Sequence, residues 1–199
     1  MRICVIGDEL VAGVGDPRGL GWVGRVIART AFVAPPLVMT LAMPGETTAA
    51  LASRWEGEVK PRLSREEPNR LVIGVGAADA SSGLSTARSR LNLANIVDQA
   101  MHMNMNPLVV GPPPLTGADR QQLKRLSDAC QEVCQRRGLP FVDVLTPLSG
   151  HAEWDEDMVT SNAQTMAGAL LPGQAGFGMM AWVVLHSGWY QWVGAGPRQ

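Results

Sequence analysis

The chain is short of the residues that most often announce a function. Its 199 residues include three cysteines, three histidines, one tyrosine and three phenylalanines. An odd cysteine count in a chain of this length argues against a disulfide framework and points to a reducing cytoplasm. Cys130 and Cys134 stand four apart on a predicted helix with no further ligands near them in sequence, so they read as helix-face or core thiols rather than a metal site. Lysine is almost missing: Lys60 and Lys124 are the two, and arginine carries the rest of the positive charge. The formal net charge is -1 and the pI is about 6.3, so no global basic field exists to hold nucleic acid or an anionic membrane. Arg136-Arg137 is only a local pair. No apolar run approaches the length of a membrane span. The run at 1–7 contains Arg2, stops at Gly7-Asp8 and is too short for the core of a secretory leader. There is no P-loop, no G-x-G-x-x-G opening a helix and no zinc-type spacing. No cofactor and no metal are therefore expected.

What is present is a core. Hydrophobic residues make up 46% of the chain and charged residues 18%, a balance that excludes disorder and suits one large domain. Short apolar runs at Arg2–Ile6, Leu37–Leu41, Leu71–Val75, Leu108–Val110 and Phe141–Val144 read as strands. Helical patterns fall between them, over 22–32, 48–58, 88–101 and 117–137, and a last one over 173–186 follows Pro172. Continuous apolar strands alternating with helices predict a parallel sheet covered on both faces, with ligands at the carboxyl ends of its strands. The least patterned stretch, 149–171, reads as a long loop.

The residues after the strands carry a family likeness. The first strand and its turn read VIGDELVAGVGDPRGLGWVGRV. With PGETTAAL at 44–51, RLVIGVGAADA at 70–80, VVGPPPL at 109–115, RRGLPFVDVLTPL at 136–148 and LPGQAGFGMMAWVVL at 171–185, the chain resembles the SGNH/GDSL hydrolases. These are esterases, lipases and acylhydrolases of flavodoxin-like fold. The resemblance covers nearly the whole chain with its blocks in order. It implies a single three-layer α/β/α domain over 1–199 with about five parallel strands. The Gly-rich stretch Gly13–Gly21 then belongs to the loop under the site.

The same resemblance exposes what is replaced. Glu9 stands where the family has its nucleophilic Ser. Gly45 matches the glycine that donates a backbone N–H to the oxyanion. Ala78 replaces the Asn that donates a second one. Gly168 and Leu171 stand at the Asp and His of the last block, and no Asp or His occurs between Met158 and Val184. Ester hydrolysis on this scaffold needs a hydroxyl nucleophile, an imidazole base, an orienting carboxylate and oxyanion donors. One retained glycine cannot stand in for them, because triad members act as a unit.

Two readings follow. In one, the chain is a degenerate member that keeps its pocket, around Asp8, Glu9, Leu10, Gly45 and Asp79, for an unknown small ligand or protein partner. In the other it is a hydrolase with displaced residues or with carboxylates, since Asp8, Glu9 and Asp79 follow neighbouring strands and clustered like charges raise a pKa. Against the second, Asp8 and Asp79 can simply hold turns by accepting backbone N–H bonds. His102, His151 and His186 all miss the family position. Ser81, Ser82 and Ser161 lack a placed base and read as turn or cap residues. Trp182, Trp189, Tyr190 and Trp192 read by default as helix-end packing, with an interface as the alternative. Met101, Met103 and Met105 read as irregular core filling.

Overall fold

The computed structural model describes residues 1–198. The chain runs β1 (Arg2–Gly7), α1 (Glu9–Ala12), α2 (Gly21–Ala28), β2 (Thr30–Ala31), β3 (Leu37–Ala42) and α3 (Thr48–Val59), then β4 (Asn69–Gly74), α4 (Ala77–Ser81), α5 (Thr86–His102) and β5 (Met105–Val110). It continues through α6 (Arg120–Gln135), β6 (Phe141–Val142), α7 (Leu145–Leu148), α8 (Ala152–Ser161), α9 (Gln174–Val184), α10 (Tyr190–Val193) and β7 (Gly196–Pro197). Five strands form one parallel sheet in the order β3-β1-β4-β5-β6.

Strand alternation divides the core in two. Cys4 and Ile6 of β1, with Leu71 and Ile73 of β4, face Leu51 and Trp55 of α3, Leu93 and Ile96 of α5, and Val133 of α6. Ile3 and Val5, with Val72 and Leu108, face Trp22 and Val26 of α2 and Phe177 and Met180 of α9. Both faces are apolar because both are covered, which is why the strands read as unbroken apolar runs. The backbones of β1 and β4 lie close together at their carboxyl ends. A Cβ on Gly7 (φ +152) would lie 2.0 Å from the Gly74 carbonyl oxygen. Only glycine fits there, and it brings the following turn directly over the sheet.

Two expectations need correction. The helix expected over 22–32 stops at Ala28, because Thr30–Ala31 leaves to pair antiparallel with Gly196–Pro197 in a small second sheet. Thr30 anchors that exit: its hydroxyl donates to the Val26 carbonyl at 2.7 Å and accepts from Trp189 Nε1 at 2.9 Å. The stretch 149–171 is not all loop, since α8 occupies Ala152–Ser161. Trp154 and Met158 are four apart, fully buried on one face, and the Trp154 indole N–H donates to the Pro114 carbonyl at 2.8 Å. Glu153 and Asp155 sit favourably in its first turn.

Candidate functional site

Asp8 ends the β1 turn and caps α1, accepting the Leu10 N–H at 3.0 Å through Oδ1. Its other oxygen, Oδ2, is buried without a hydrogen-bond partner. Asp8 and Leu10 help line a narrow cavity of about 10 Å³, with Trp22, Gly74, Pro112 and Met180 among its other walls. Burial, and then the neighbouring Glu9 charge, push the Asp8 carboxyl up to about 8.

Glu9 is the first residue of α1 and only 3% exposed. Its side chain turns toward the loop after β3, and Oε2 accepts the Gly45 backbone N–H at 2.6 Å. No ion pair to Glu9 forms among the described residues, and Arg54 of α3 pairs with Glu46 and Glu58. Gly45 takes φ +71, and a Cβ there would come within 2.6 Å of Met166 Sδ. Met166 therefore lies against Gly45, in the space a side chain there would need.

Asp79 does not join Glu9. Its two oxygens accept the Thr48 N–H and the Thr48 hydroxyl, each at 2.7 Å, and Asn92 Nδ2 donates to the same hydroxyl at 3.2 Å. Asp79 thus ties α4 to the start of α3, a backbone-holding role like that of Asp8. Ala78 is the residue before it, on α4, with only a methyl group to offer.

The last block is built from backbone. Gly168 takes φ +84 in an exposed turn, its N–H donating to the Thr165 carbonyl at 3.0 Å. Leu171 is fully buried in the apolar layer around Trp154 and Phe177. Its N–H donates to the Ala163 carbonyl at 2.9 Å, and its carbonyl accepts the Ser161 hydroxyl at 2.5 Å. The start of α9 is held by Asp157, which accepts from the N–H groups of Gly173 at 2.6 Å, Gly176 at 2.8 Å and Ala175 at 3.2 Å. Asp157 was invisible to motif reading, since its partners lie sixteen to nineteen residues away. Ser81 and Ser82 donate to carbonyls three residues back.

No histidine approaches this ensemble. His102 ends α5, and His186 stacks on Trp182 with ring centroids 4.3 Å apart. His151 precedes α8 and lines a cleft of about 470 Å³ with Arg29, Glu153, Met179 and Trp182, whose walls include neither Glu9, Gly45 nor Ala78. Trp189 and Trp192 are buried as packing residues, whereas Trp182 is 58% exposed. Met105 is buried and Met101 is exposed. Among the described residues, no three His, Cys, Asp or Glu side chains are placed to hold a metal ion together. Among the same residues, no helix is long and apolar enough to cross a membrane.

The domain is thus a parallel sheet of order β3-β1-β4-β5-β6 between two helical layers, with a tight glycine turn after its first strand and the Gly45 N–H bonded to Glu9 just beyond that turn. The GDSL-like lipase/acylhydrolase family model matches residues 5–177, and the chain belongs to that family. The fold superposes on the lipase/acylhydrolase from Enterococcus faecalis at 23% identity over all of both chains, with a TM-score of 0.73. It superposes on TesA at 19% identity, over 94% of this chain and 98% of that one, with a TM-score of 0.70. The acetylxylan esterase Axe2 from Geobacillus stearothermophilus gives 17% identity, 96% and 95% coverage and a TM-score of 0.74. No curated protein sequence matches.

Proposed function

We propose that this chain is a non-hydrolytic member of the GDSL-like family whose oxyanion donor is occupied by its own side chain, leaving the fold to bind a ligand or protein partner. The observation that carries the reading is the 2.6 Å bond from the Gly45 N–H to Glu9 Oε2. In a hydrolase that N–H is kept for the oxygen that gains negative charge in the transition state. Here a carboxylate oxygen of the chain itself stands in that place. Glu9 has no hydroxyl proton to lose, and the residues matching the family's Asn, Asp and His are Ala78, Gly168 and Leu171.

A carboxylate hydrolase centred on Glu9 is the second reading, favoured by the raised Asp8 carboxyl beside it. The geometry gives it less support. Asp8 lines a narrow cavity of about 10 Å³, room for about one water, and Asp79 is fully engaged by Thr48. The near-neutral charge favours a partner other than nucleic acid or an anionic bilayer. The three cysteines are free and buried, which suits a reducing cytoplasm.

The test is hydrolysis of short p-nitrophenyl esters by the wild type beside Glu9→Ala and Glu9→Ser. All three matching the buffer blank supports the non-hydrolytic reading. An active wild type that Glu9→Ala silences overturns it and makes Glu9 part of a working mechanism.

A further inference from the structure

Strand β3 forms one edge of the sheet, since it pairs only with β1. Soluble proteins blunt such edges with charge, with a bulge, by shortening the strand or by covering it, because open backbone groups recruit other strands. A bulge and a shortened strand are both absent, and the one charge on the strand's backbone is the Arg54 guanidinium, which donates to the Leu41 carbonyl at 3.0 Å and is itself paired with Glu46 and Glu58. β3 has six residues, as many as the central strands β1 and β4. It pairs with β1 in unbroken register from Leu37 to Ala42. No charged residue occurs anywhere from Thr30 to Gly45. Pro35-Pro36 and Pro44 bracket the strand and fix its length, but they leave its middle open.

The direction of the free groups is set by the pairing. The Leu37 N–H donates to the Met1 carbonyl and the Met43 N–H to the Gly7 carbonyl, both toward β1. By alternation, Val38, Thr40 and Ala42 point their N–H and C=O groups away from the sheet. Beside them lies an apolar groove of about 410 Å³ between Val38 and Thr40 on one side and Leu20, Val23 and Ile27 on the other. Leu20, Leu37 and Met43 are large apolar residues left exposed around the strand.

We propose that β3 is a self-association surface: a second copy of this chain pairs with it antiparallel about a two-fold axis through Thr40, making one continuous sheet across the dimer. The strand is complementary to itself in that register. Thr40 faces the partner's Thr40 and Val38 faces the partner's Ala42, which joins the outward backbone groups in pairs. Met39 faces the partner's Leu41. Every cross-strand pair is apolar or hydroxyl, so no charged side chain within the paired strands meets its own copy. A charged peptide or an anionic surface would find nothing on this edge to recognise, whereas a second copy finds every backbone group answered.

Thr40 is exposed, so charge there is compatible with the folded monomer. The experiment is sedimentation of full-length wild type, Thr40→Lys, Thr40→Glu and an equimolar mixture of the two variants, with thermal melts to confirm that each is folded. The expected result is a wild-type dimer, two monomeric variants and a mixed dimer from the mixture, since the axis places residue 40 opposite itself. Thr40→Pro, which deletes two inter-subunit bonds, should weaken the dimer by about tenfold for each bond lost. Amide exchange at Val38, Thr40 and Ala42 should slow as wild-type concentration rises. A wild type that is monomeric at about 100 μM, well above the micromolar range of ordinary specific complexes, overturns the proposal. So does a dimer that Thr40→Lys leaves intact.

Discussion

Glu9 and Gly45, thirty-six residues apart, share a 2.6 Å bond between a carboxylate oxygen and a backbone N–H. The bond satisfies a donor that the β3–α3 turn would otherwise leave open. Replacing Glu9 with Ala removes the acceptor at a nearly buried place and is expected to cost about 1–3 kcal/mol. Glu9→Gln keeps a carbonyl oxygen for the same N–H and should cost less. Urea unfolding of the two variants checks the order.

Asp8 gives a pH dependence with a definite sign. Its folded carboxyl sits at about 8 against an ordinary 3.8. The folded state therefore holds a proton that the unfolded state releases as pH rises through 4. The contribution is fully present below that pH, declines between 4 and 8, and is gone above 8. Asp8→Asn, a neutral isostere that can still cap α1, should remove this decline. At pH 8 it should be more stable than wild type by on the order of a few kcal/mol. Denaturation across pH 4–9 for both proteins tests it, and parallel curves would refute it.

Asp16 behaves in the opposite sense. Its hydrogen bond from Arg25, reinforced by the N–H groups of Arg18 and Gly21, holds its carboxyl down to about 2. That stabilisation is present above the ordinary carboxylate range and is lost as pH falls from about 4 through 2. Asp16→Ala strands the Arg25 guanidinium, whose side chain is 10% exposed, and unties the loop between α1 and α2. The expected cost near neutral pH is about 3–5 kcal/mol. The difference from wild type should shrink in acid, which pH-dependent melts will read.

Asp157 reaches from α8 to the first turn of α9. Asp157→Ala deletes three acceptor contacts at once and is expected to cost about 1–2 kcal/mol, the upper range for a lost helix cap. Amide exchange should accelerate at Gly173, Ala175 and Gly176 while the centre of α5 is unchanged. Uniform acceleration would mean a global rather than a capping effect.

The strands and the longer helices were legible because a sheet buried on both faces writes each strand as an apolar run, and Leu71–Val75 is a clear case. α8 was not, because only Trp154 and Met158 mark its buried face among charged neighbours. The pairing of Thr30–Ala31 with Gly196–Pro197 could not be read, since two-residue strands have no periodicity. The resemblance named Glu9, Gly45, Ala78, Gly168 and Leu171 as candidates, but not what they touch. That Glu9 would turn to Gly45 depends on side-chain direction after a tight glycine turn. That Met166 would lie against Gly45 depends on the path of a segment with no regular pattern. The engagement of Asp79 by Thr48 joins two turns thirty-one residues apart and has no local signature.

The tethering of Glu9 to its own backbone also sets the terms of any competition for Gly45. An external carbonyl or phosphonate must displace an acceptor held at high effective molarity by the chain itself, and no serine waits there to trap it covalently. On the function proposed above, reagents that tag serine hydrolases by reaction are expected to pass this protein over, so a survey based on them would record it as absent however abundant it is.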